Sequence, residues 1–579
     1  MPIMSSEGPS RWVPSNYVQR TTLVLLALGF ALLIIITSIV SATNKIVSDE
    51  FGKLNDKLAT SNALGLPGYE SMSWEQLLNA GKATQTVNVY IDSGSPKVQR
   101  WFTYVAVPQV LAQYGITINP VFTLSSGTYQ IVQQIESEVA AGKVTSGGSV
   151  DLFWGNGANF YRAKTGNTIP GVTTGFGSAA SGLGNILYGP WANKVPSAKN
   201  YDWTSATIAF DMGTPTDGLE MPFFAANFNL IYRTDVGIIP PTTFQDLLVL
   251  LNTPPCAVGT AQAANCGLKG VFTYWNPSTT GASYITAAFT RHFLYENCAT
   301  TVSSLSTGST STAAYKLATT CAKDYAKYIS TYDSALYQGS AKNAFQQLRI
   351  LESGYPVNGA MPSNTKANLY NSAYCADSST CQGLYKAGSI YATMEYSAPY
   401  AGSNCADSTT GNTAWGASTV ANLCTNTAAY IPTSSGAISN NNFMMIPSNA
   451  GNKLGAVVVG NWLGSMDAQY SRRYGAQADS SYLASDGKSH VLNRWIGNFA
   501  TNSPAYTGSD GGPSWKTAYD YLSSYHNYAQ TPDVKYLRPP YALPEIDVRY
   551  QTQMNADWVS CMGLTATNAA YPTVSVVCP

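Results

Sequence analysis

The sequence predicts an α/β protein: a parallel, doubly wound sheet preceded by one transmembrane helix. Three stretches predict it. Residues 86–154 alternate strand and helix patterns, the signature of parallel strands joined by crossovers. Residues Thr21 to Ala42 run for 22 positions without a charge. From Gly147 to Phe160, the run Gly-Gly-Ser-Val-Asp-Leu-Phe-Trp-Gly-Asn-Gly-Ala-Asn-Phe reads as a buried strand that stops in a Gly/Asn turn and opens a helix. In open α/β sheets such a turn lies at the carboxyl edge, where ligands bind and helix starts offer free N–H groups. An ordinary strand-turn-helix has the same pattern, so the neighbouring elements decide its meaning.

Residues 1–20 are a short polar segment containing proline. In a helix, Thr21 to Ala42 spans ~33 Å at ~1.5 Å per residue, enough for a hydrocarbon core of ~30 Å. Residues 21–43 are therefore read as a transmembrane anchor or signal. Arg11 and Arg20 precede it and Lys45, Lys53 and Lys57 follow, so the positive-inside count does not orient it. Val40-Ser41-Ala42 resembles a signal-peptidase site, which leaves cleavage beside retention. Residues 44–83 read as a stalk or linker. Within it Ile46, Phe51, Leu54 and Leu58 fall near helical spacing, and Ser73-Trp-Glu-Gln76 is a capping box that opens a short helix.

The globular part begins near Thr84. Thr86 to Ile91 alternates as a strand does, and Asp92-Ser-Gly-Ser-Pro96 is a turn. Val98 to Tyr114 has the apolar spacing of an amphipathic helix, Ile116 to Phe122 is a second strand, and Tyr129 to Ala141 is a second helix. The third strand is the apolar run that starts at Val150. Leu219 to Arg233 is long and apolar on alternate positions, like an extended strand crossing between two parts. A Pro-Pro turn follows, with Thr242 or Thr243 capping a helix.

Composition narrows the function class. Lys plus Arg and Asp plus Glu are 32 each, so net charge is zero and no basic field addresses nucleic acid. Only 11% of residues are charged, against about 25% in ordinary domains. Neutral hydrogen bonds and aromatic faces, with 38 Tyr and 12 Trp, are left to make the contacts. The ten cysteines all lie beyond residue 255 and fall as near neighbours: Cys256 with Cys266, Cys298 with Cys321, Cys375 with Cys381, Cys405 with Cys424, and Cys561 with Cys578. That pattern reads as local disulfides in an oxidising exterior, with connectivity left open by sequence. Zinc is the rival, but C-x2-C spacing is absent and only His292, His490 and His526 supply imidazoles. No metal or cofactor is expected. Only Asn276-Pro-Ser approximates a glycan acceptor, and its proline disqualifies it.

The ordered series of elements resembles the extracellular solute-binding proteins of ABC transporters, in the type II periplasmic-binding-protein fold, and is most similar to the YnjB-like subgroup. The residues that carry the likeness are Ser93-Gly94-Ser95 after the first strand, Tyr114-Gly-Ile-Thr-Ile118, the 147–160 stretch, and Tyr188-Gly-Pro-Trp191. Glu220-Met-Pro-Phe223 leading to Asn229-Leu-Ile-Tyr-Arg-Thr-Asp235, Gly270 to Gly281, and Asn442 to Gln469 continue it. It covers roughly residues 85–300 and 385–475. The Cys-bearing segments at 298–330 and 400–430 and the tail past 500 depart from the pattern. The resemblance implies two α/β lobes: lobe 1 over 84–225, with about 441–480 returning to it, and lobe 2 over 226–440. A disulfide-bearing extension over 481–579 completes the division.

The resemblance further implies that a small polar solute lies between the lobes, against loops at the carboxyl ends of strands. The candidates are Ser93, Gly94, Ser95, Asn156, Gly157, Asn159 and Glu220 on the first lobe. On the second they are Trp275, Thr279, Thr280, Gly281, Glu395 and Tyr396, with Asn461 and Trp462 from the late helix. Each has a plain structural reading beside it: a turn, a solvated strand end, or core packing. The implied function is capture of a solute outside the cell membrane and delivery to an ABC permease, with the N-terminal helix as a single-pass anchor. A structural or adhesive surface protein is the alternative, and a secreted hydrolase the third. Gly-x-Ser-x-Gly, His-Glu-x-x-His, Walker A and Gly-x-Gly-x-x-Gly are all absent, so no enzyme is expected, although paired carboxylates leave no sequence signature.

Overall fold

The computed structural model describes residues 72–168, 180–276, 332–354, 365–395, 412–417, 426–430, 437–474 and 542–562, with short gaps inside these ranges. The anchor expected at 21–43 and the stalk helix at 46–58 lie outside them. Among the described residues no helix is long and apolar enough to cross a membrane.

The chain order begins with α1 (Trp74–Ala83), β1 (Thr86–Ile91), α2 (Pro96–Trp101), a π-helical turn (Phe102–Ala106), α3 (Val107–Tyr114), β2 (Thr117–Phe122), α4 (Thr128–Ala140), β3 (Leu152–Gly155) and α5 (Ala158–Thr165). The capping box forms as its sequence requires: Ser73 N donates to Gln76 Oε1 at 2.8 Å and Gln76 N to Ser73 Oγ at 3.3 Å. The single amphipathic helix expected from Val98 to Tyr114 is one continuous rod with a π-bulge in the middle. The bulge brings Phe102, Val105 and Ala106 to the buried side together. Next come the short helix α6 (Ala206–Ala209), β4 (Phe210–Asp211), β5 (Thr214–Pro215), β6 (Glu220–Asn227), β7 (Asn229–Arg233), α7 (Phe244–Asn252), α8 (Ser334–Ser353), α9 (Ser378–Lys386) and β8 (Ala392–Glu395). The last group is β9 (Asn412–Thr413), β10 (Gly416–Ala417), β11 (Thr427–Tyr430), β12 (Ala437–Met445), α10 (Lys453–Leu463), α11 (Met466–Tyr474), β13 (Ala542–Leu543) and α12 (Val548–Met562).

Two sheets organise these elements. The larger is mixed, in the order β13-β12-β3-β1-β2, with β6 also paired to β12. β2, β1 and β3 are parallel, as the strand-helix alternation predicts. β12 is antiparallel to both β3 and β6. Antiparallel pairing frees it from the crossover-helix requirement of the parallel strands. The smaller sheet is antiparallel, β11-β7-β8.

Helices cover both faces of the large sheet. On one side Ile131, Val132 and Ile135 of α4 and Phe160 and Ala163 of α5 close over Phe153 and Met445. On the other, Trp101 stacks on Trp462 of α10, centroids 5.8 Å apart, with Phe223 of β6 beside it. Asp151 ties the sheet to α10. Its carboxylate accepts from Asn88 N at 2.9 Å and from Asn452 N at 2.7 Å, and the Asn452 side chain then caps α10 by accepting from Gly455 N. Burial raises the Asp151 pKa, against the hydrogen bonds from the Asn88 and Asn452 amides.

The smaller sheet carries its own core. Leu248 and Leu251 of α7, Phe345 and Leu348 of α8, and Tyr550, Met554 and Trp558 of α12 pack over Phe228, Leu230 and Met394. Two of the five expected disulfides fall in the described residues and both form, Cys256–Cys266 and Cys375–Cys381. The other three expected pairings are Cys298 with Cys321, Cys405 with Cys424, and Cys561 with Cys578. Of these six residues Cys298, Cys321, Cys405, Cys424 and Cys578 lie outside the described residues, and Cys561 is described in its backbone alone, within α12.

Candidate functional site

One segment passes directly from one sheet to the other: β6 continues through Phe228 into β7. Beside it, β11 pairs with β7 in the smaller sheet and β12 pairs with β6 in the larger, with residues 431–436 between them outside the described residues. Beside these strands, at the carboxyl end of β3, lies the turn Gly155-Asn156-Gly157. Gly157 has φ 59° and ψ −123°, a positive-φ conformation that suits glycine, and it directs its own amide inward. That N–H donates to Asp211 Oδ2 at 2.5 Å, from the hairpin formed by β4 and β5.

The second partner of this turn is β12. Ser439, Asn440, Asn441 and Asn442 form a buried polar run in the middle of a buried strand. Asn156 Nδ2 donates to Asn440 Oδ1 at 3.0 Å and more weakly to Asn441 O at 3.4 Å. Trp154 Nε1 donates to Asn442 Oδ1 at 2.7 Å, and Asn442 Nδ2 to Asn440 Oδ1 at 2.8 Å. Asn440 Nδ2 donates to Glu545 Oε1 at 3.1 Å, while Asn441 Nδ2 donates to Thr207 O. Three amide side chains (Asn156, Asn440 and Asn442), the Trp154 indole and one carboxylate thus form a bonded network, which is how buried polar groups avoid their desolvation cost.

Acidic groups lie under the same turn. Burial pushes the Asp211 carboxyl up to about 8, with the Gly157 hydrogen bond acting against it. Glu220 opens β6 and has no exposure to solvent. Its pKa is raised well above the usual range by burial first and by the nearby Asp211 charge second, with Lys164 opposing. Among the described residues neither Glu220 carboxyl oxygen has a hydrogen-bond partner. Lys164 itself pairs with Asp217 at 2.5 Å.

The sequence candidates divide accordingly. Asn156 belongs to the network and Gly157 bonds Asp211 beside it; both Asn156 and Asn159 are half-buried, the latter with its Oδ1 buried and without a partner among the described residues. Glu220 is near but sealed in. Trp275 is half-buried against the core of the smaller sheet, where its backbone bridges Cys375. Asn461 and Trp462 do not join the group. Asn461 Oδ1 accepts from Ser197 N at 2.8 Å, and Trp462 is fully buried against Trp101, so both hold α10 in place. Ser93, Gly94, Ser95, Thr279, Thr280, Gly281, Tyr396 and the side chain of Glu395 fall outside the described residues.

Sequence reasoning missed Asp211, Asn440 and Glu545. A signal existed for Asn440: three consecutive asparagines between Ile438 and Phe443 are poor strand formers, so their place in a strand implies partners. Asp211 and Glu545 are single acidic residues without local pattern.

No family model matches the chain. Escherichia coli (strain K12) protein YnjB is 31% identical over 185 residues, which are 32% of this chain and 42% of YnjB. The match thus spans less than half the length of that curated relative. Among solved structures, the cyclic alpha-maltosyl-1,6-maltose binding protein from Arthrobacter globiformis is similar with a TM-score of 0.46 and 12% identity, covering 82% of this chain and 91% of that one. An ABC transporter structure from Clostridium perfringens is similar with a TM-score of 0.41 and 14% identity, covering 82% and 97%.

Proposed function

We propose that this chain is an extracellular solute-binding protein of the type II periplasmic-binding-protein fold, which captures a small polar molecule between two lobes and hands it to an ABC permease. The observation that carries the reading is the direct crossing from β6 to β7, with β12 and β11 paired beside it in the same two sheets. Such a crossing forms a hinge about which the sheets bend as units. The asparagine network and the Gly157 turn lie on that hinge at a sheet's carboxyl edge, where a solute meets both halves. The similarity to YnjB supports the same reading.

In this proposal residues 84–225 and about 441–480 belong to the first lobe and 226–440 to the second. Asn156, Gly157 and Asn159 contact the solute from the first lobe and Trp275 from the second. Residues 21–43 anchor the chain in the cell membrane with the globular part outside. The chain itself does no chemistry. Its work is differential affinity: a solute that bridges both lobes favours the closed arrangement.

A thermal-shift panel of maltose, putrescine, short peptides and vitamins tests this. A ligand present at ~100 times its Kd stabilises by ~2.7 kcal/mol, which raises the midpoint of a globular part this size by about 2–3 °C. Structural or adhesive function is favoured instead if no class of small molecule moves the midpoint.

A further inference from the structure

We infer that the asparagine network fixes which end of the Asn156 amide faces the solute: the carbonyl oxygen. The solute group bound there is then a hydrogen-bond donor, a hydroxyl or an amine. This deepens the solute-binding reading and rests on it for the solute, though not for the orientation of Asn156.

The orientation follows from groups that have only one option. Indole Nε1 is a donor only and a carboxylate is an acceptor only. Trp154 Nε1 donates at 2.7 Å, so the Asn442 oxygen faces Trp154 and its nitrogen faces Asn440. At the other end Glu545 accepts from Asn440 at 3.1 Å, so the nitrogen of Asn440 faces Glu545 and its oxygen faces Asn442 and Asn156. Both ends impose the same polarity. Asn156 then meets an oxygen and gives its Nδ2, and the Asn441 carbonyl, another obligate acceptor, takes the same nitrogen at 3.4 Å. Flipping any one amide sets oxygen against oxygen or nitrogen against nitrogen somewhere in the chain of bonds.

Both protons of Asn156 are thereby occupied. Among the described residues no donor meets its Oδ1, and Asn156 is half-buried, so this oxygen is the atom left for a partner. A carboxylate or phosphate oxygen placed there would face another acceptor. Glu545 and Asn440 act through Asn156 and are positioning residues. The tail segment that carries Glu545 thus contributes to solute selection.

Side-chain amide exchange of the full chain, labelled with ¹⁵N at asparagine side chains, tests the orientation without any solute. Asn156→Leu identifies the signal. Both Asn156 Nδ2 protons are expected to exchange about tenfold or more slowly than those of an exposed asparagine. Glu545→Leu is expected to speed them several-fold, whereas Asn452→Ala, which lies outside the network, leaves them unchanged. Exchange at the exposed rate in the unmodified chain overturns the inference. Maltose and putrescine, which carry donors, are then compared at pH 7.5 with sulfate and succinate, which offer acceptors alone. A donor-bearing probe whose binding weakens about tenfold in Asn156→Leu upholds the inference. Sulfate or succinate binding that depends on Asn156 overturns it. Slow exchange with no response to any probe upholds the orientation and counts against solute capture instead.

Discussion

Trp558 gives the sharpest stability prediction, because it lies in the segment that the sequence leaves as an extension. In the structure it is fully buried. Its ring lies 6.0 Å from Tyr374 and 6.3 Å from both Tyr274 and Phe345, between α8 and α12 in the core of the smaller sheet. An indole buries about 200–250 Å², worth about 5–6 kcal/mol at ~25 cal/mol per Å². Its Nε1 has no hydrogen-bond partner among the described residues. Removing that unmet donor returns about 1–3 kcal/mol. Trp558→Ala is therefore expected to cost about 3–4 kcal/mol, within the ~3–5 kcal/mol seen for large aromatic truncations. Trp558→Phe, which keeps most of the apolar area and sheds the donor, is expected to cost less than about 1.5 kcal/mol. Urea unfolding followed by circular dichroism measures both, read as midpoints and inspected for two transitions, since two cores need not unfold together. A loss below about 1 kcal/mol for Trp558→Ala would refute the packing of α12 into this core.

Asp151→Ala removes the acceptor for Asn88 N and Asn452 N, leaving buried amides unpaired; at about 1.5–3 kcal/mol for each charge-assisted bond, a loss of about 3–5 kcal/mol is expected by the same unfolding assay. Asn452→Ala, which removes the cap of α10, is expected to cost about 1–2 kcal/mol. Asp211 has a folded pKa of about 8, above the usual carboxylate value of 3.8, so the folded state holds a proton that the unfolded state releases. Stability is therefore expected to fall as pH rises from about 4 to 8 and to level off above. Asp211→Asn keeps the acceptor for Gly157 N without the titration, so thermal midpoints between pH 5 and 8 are expected to fall less in this variant than in the unmodified chain.

The local elements were largely legible, because each has a local cause. Alternation in Thr86–Ile91 and the reciprocal bonds of Ser73 and Gln76 come from neighbouring residues, and both appear in the structure as read. The long crossing strand was legible too, since apolar alternation from Leu219 to Arg233 needs a partner on both sides. What sequence concealed was long-range. Pairing of β12 between β3 and β6 joins residues more than 200 positions apart, and the reach of Glu545 to Asn440 spans 105. The same limit applies to the candidate site. Asn156 stood out through its turn, whereas the partners that set its polarity come from β12 and from the segment before α12. Asn461 and Trp462 looked like site residues by their place in the series. Burial, which sequence does not give, assigns them to the core.

Native mass spectrometry of the purified full chain tests solute capture most directly. The account predicts a folded species heavier than its covalent mass by one small molecule carrying hydroxyl or amine groups, and release of that molecule on mild unfolding. A folded species at the bare covalent mass, together with a thermal midpoint that no member of the panel shifts, would contradict it.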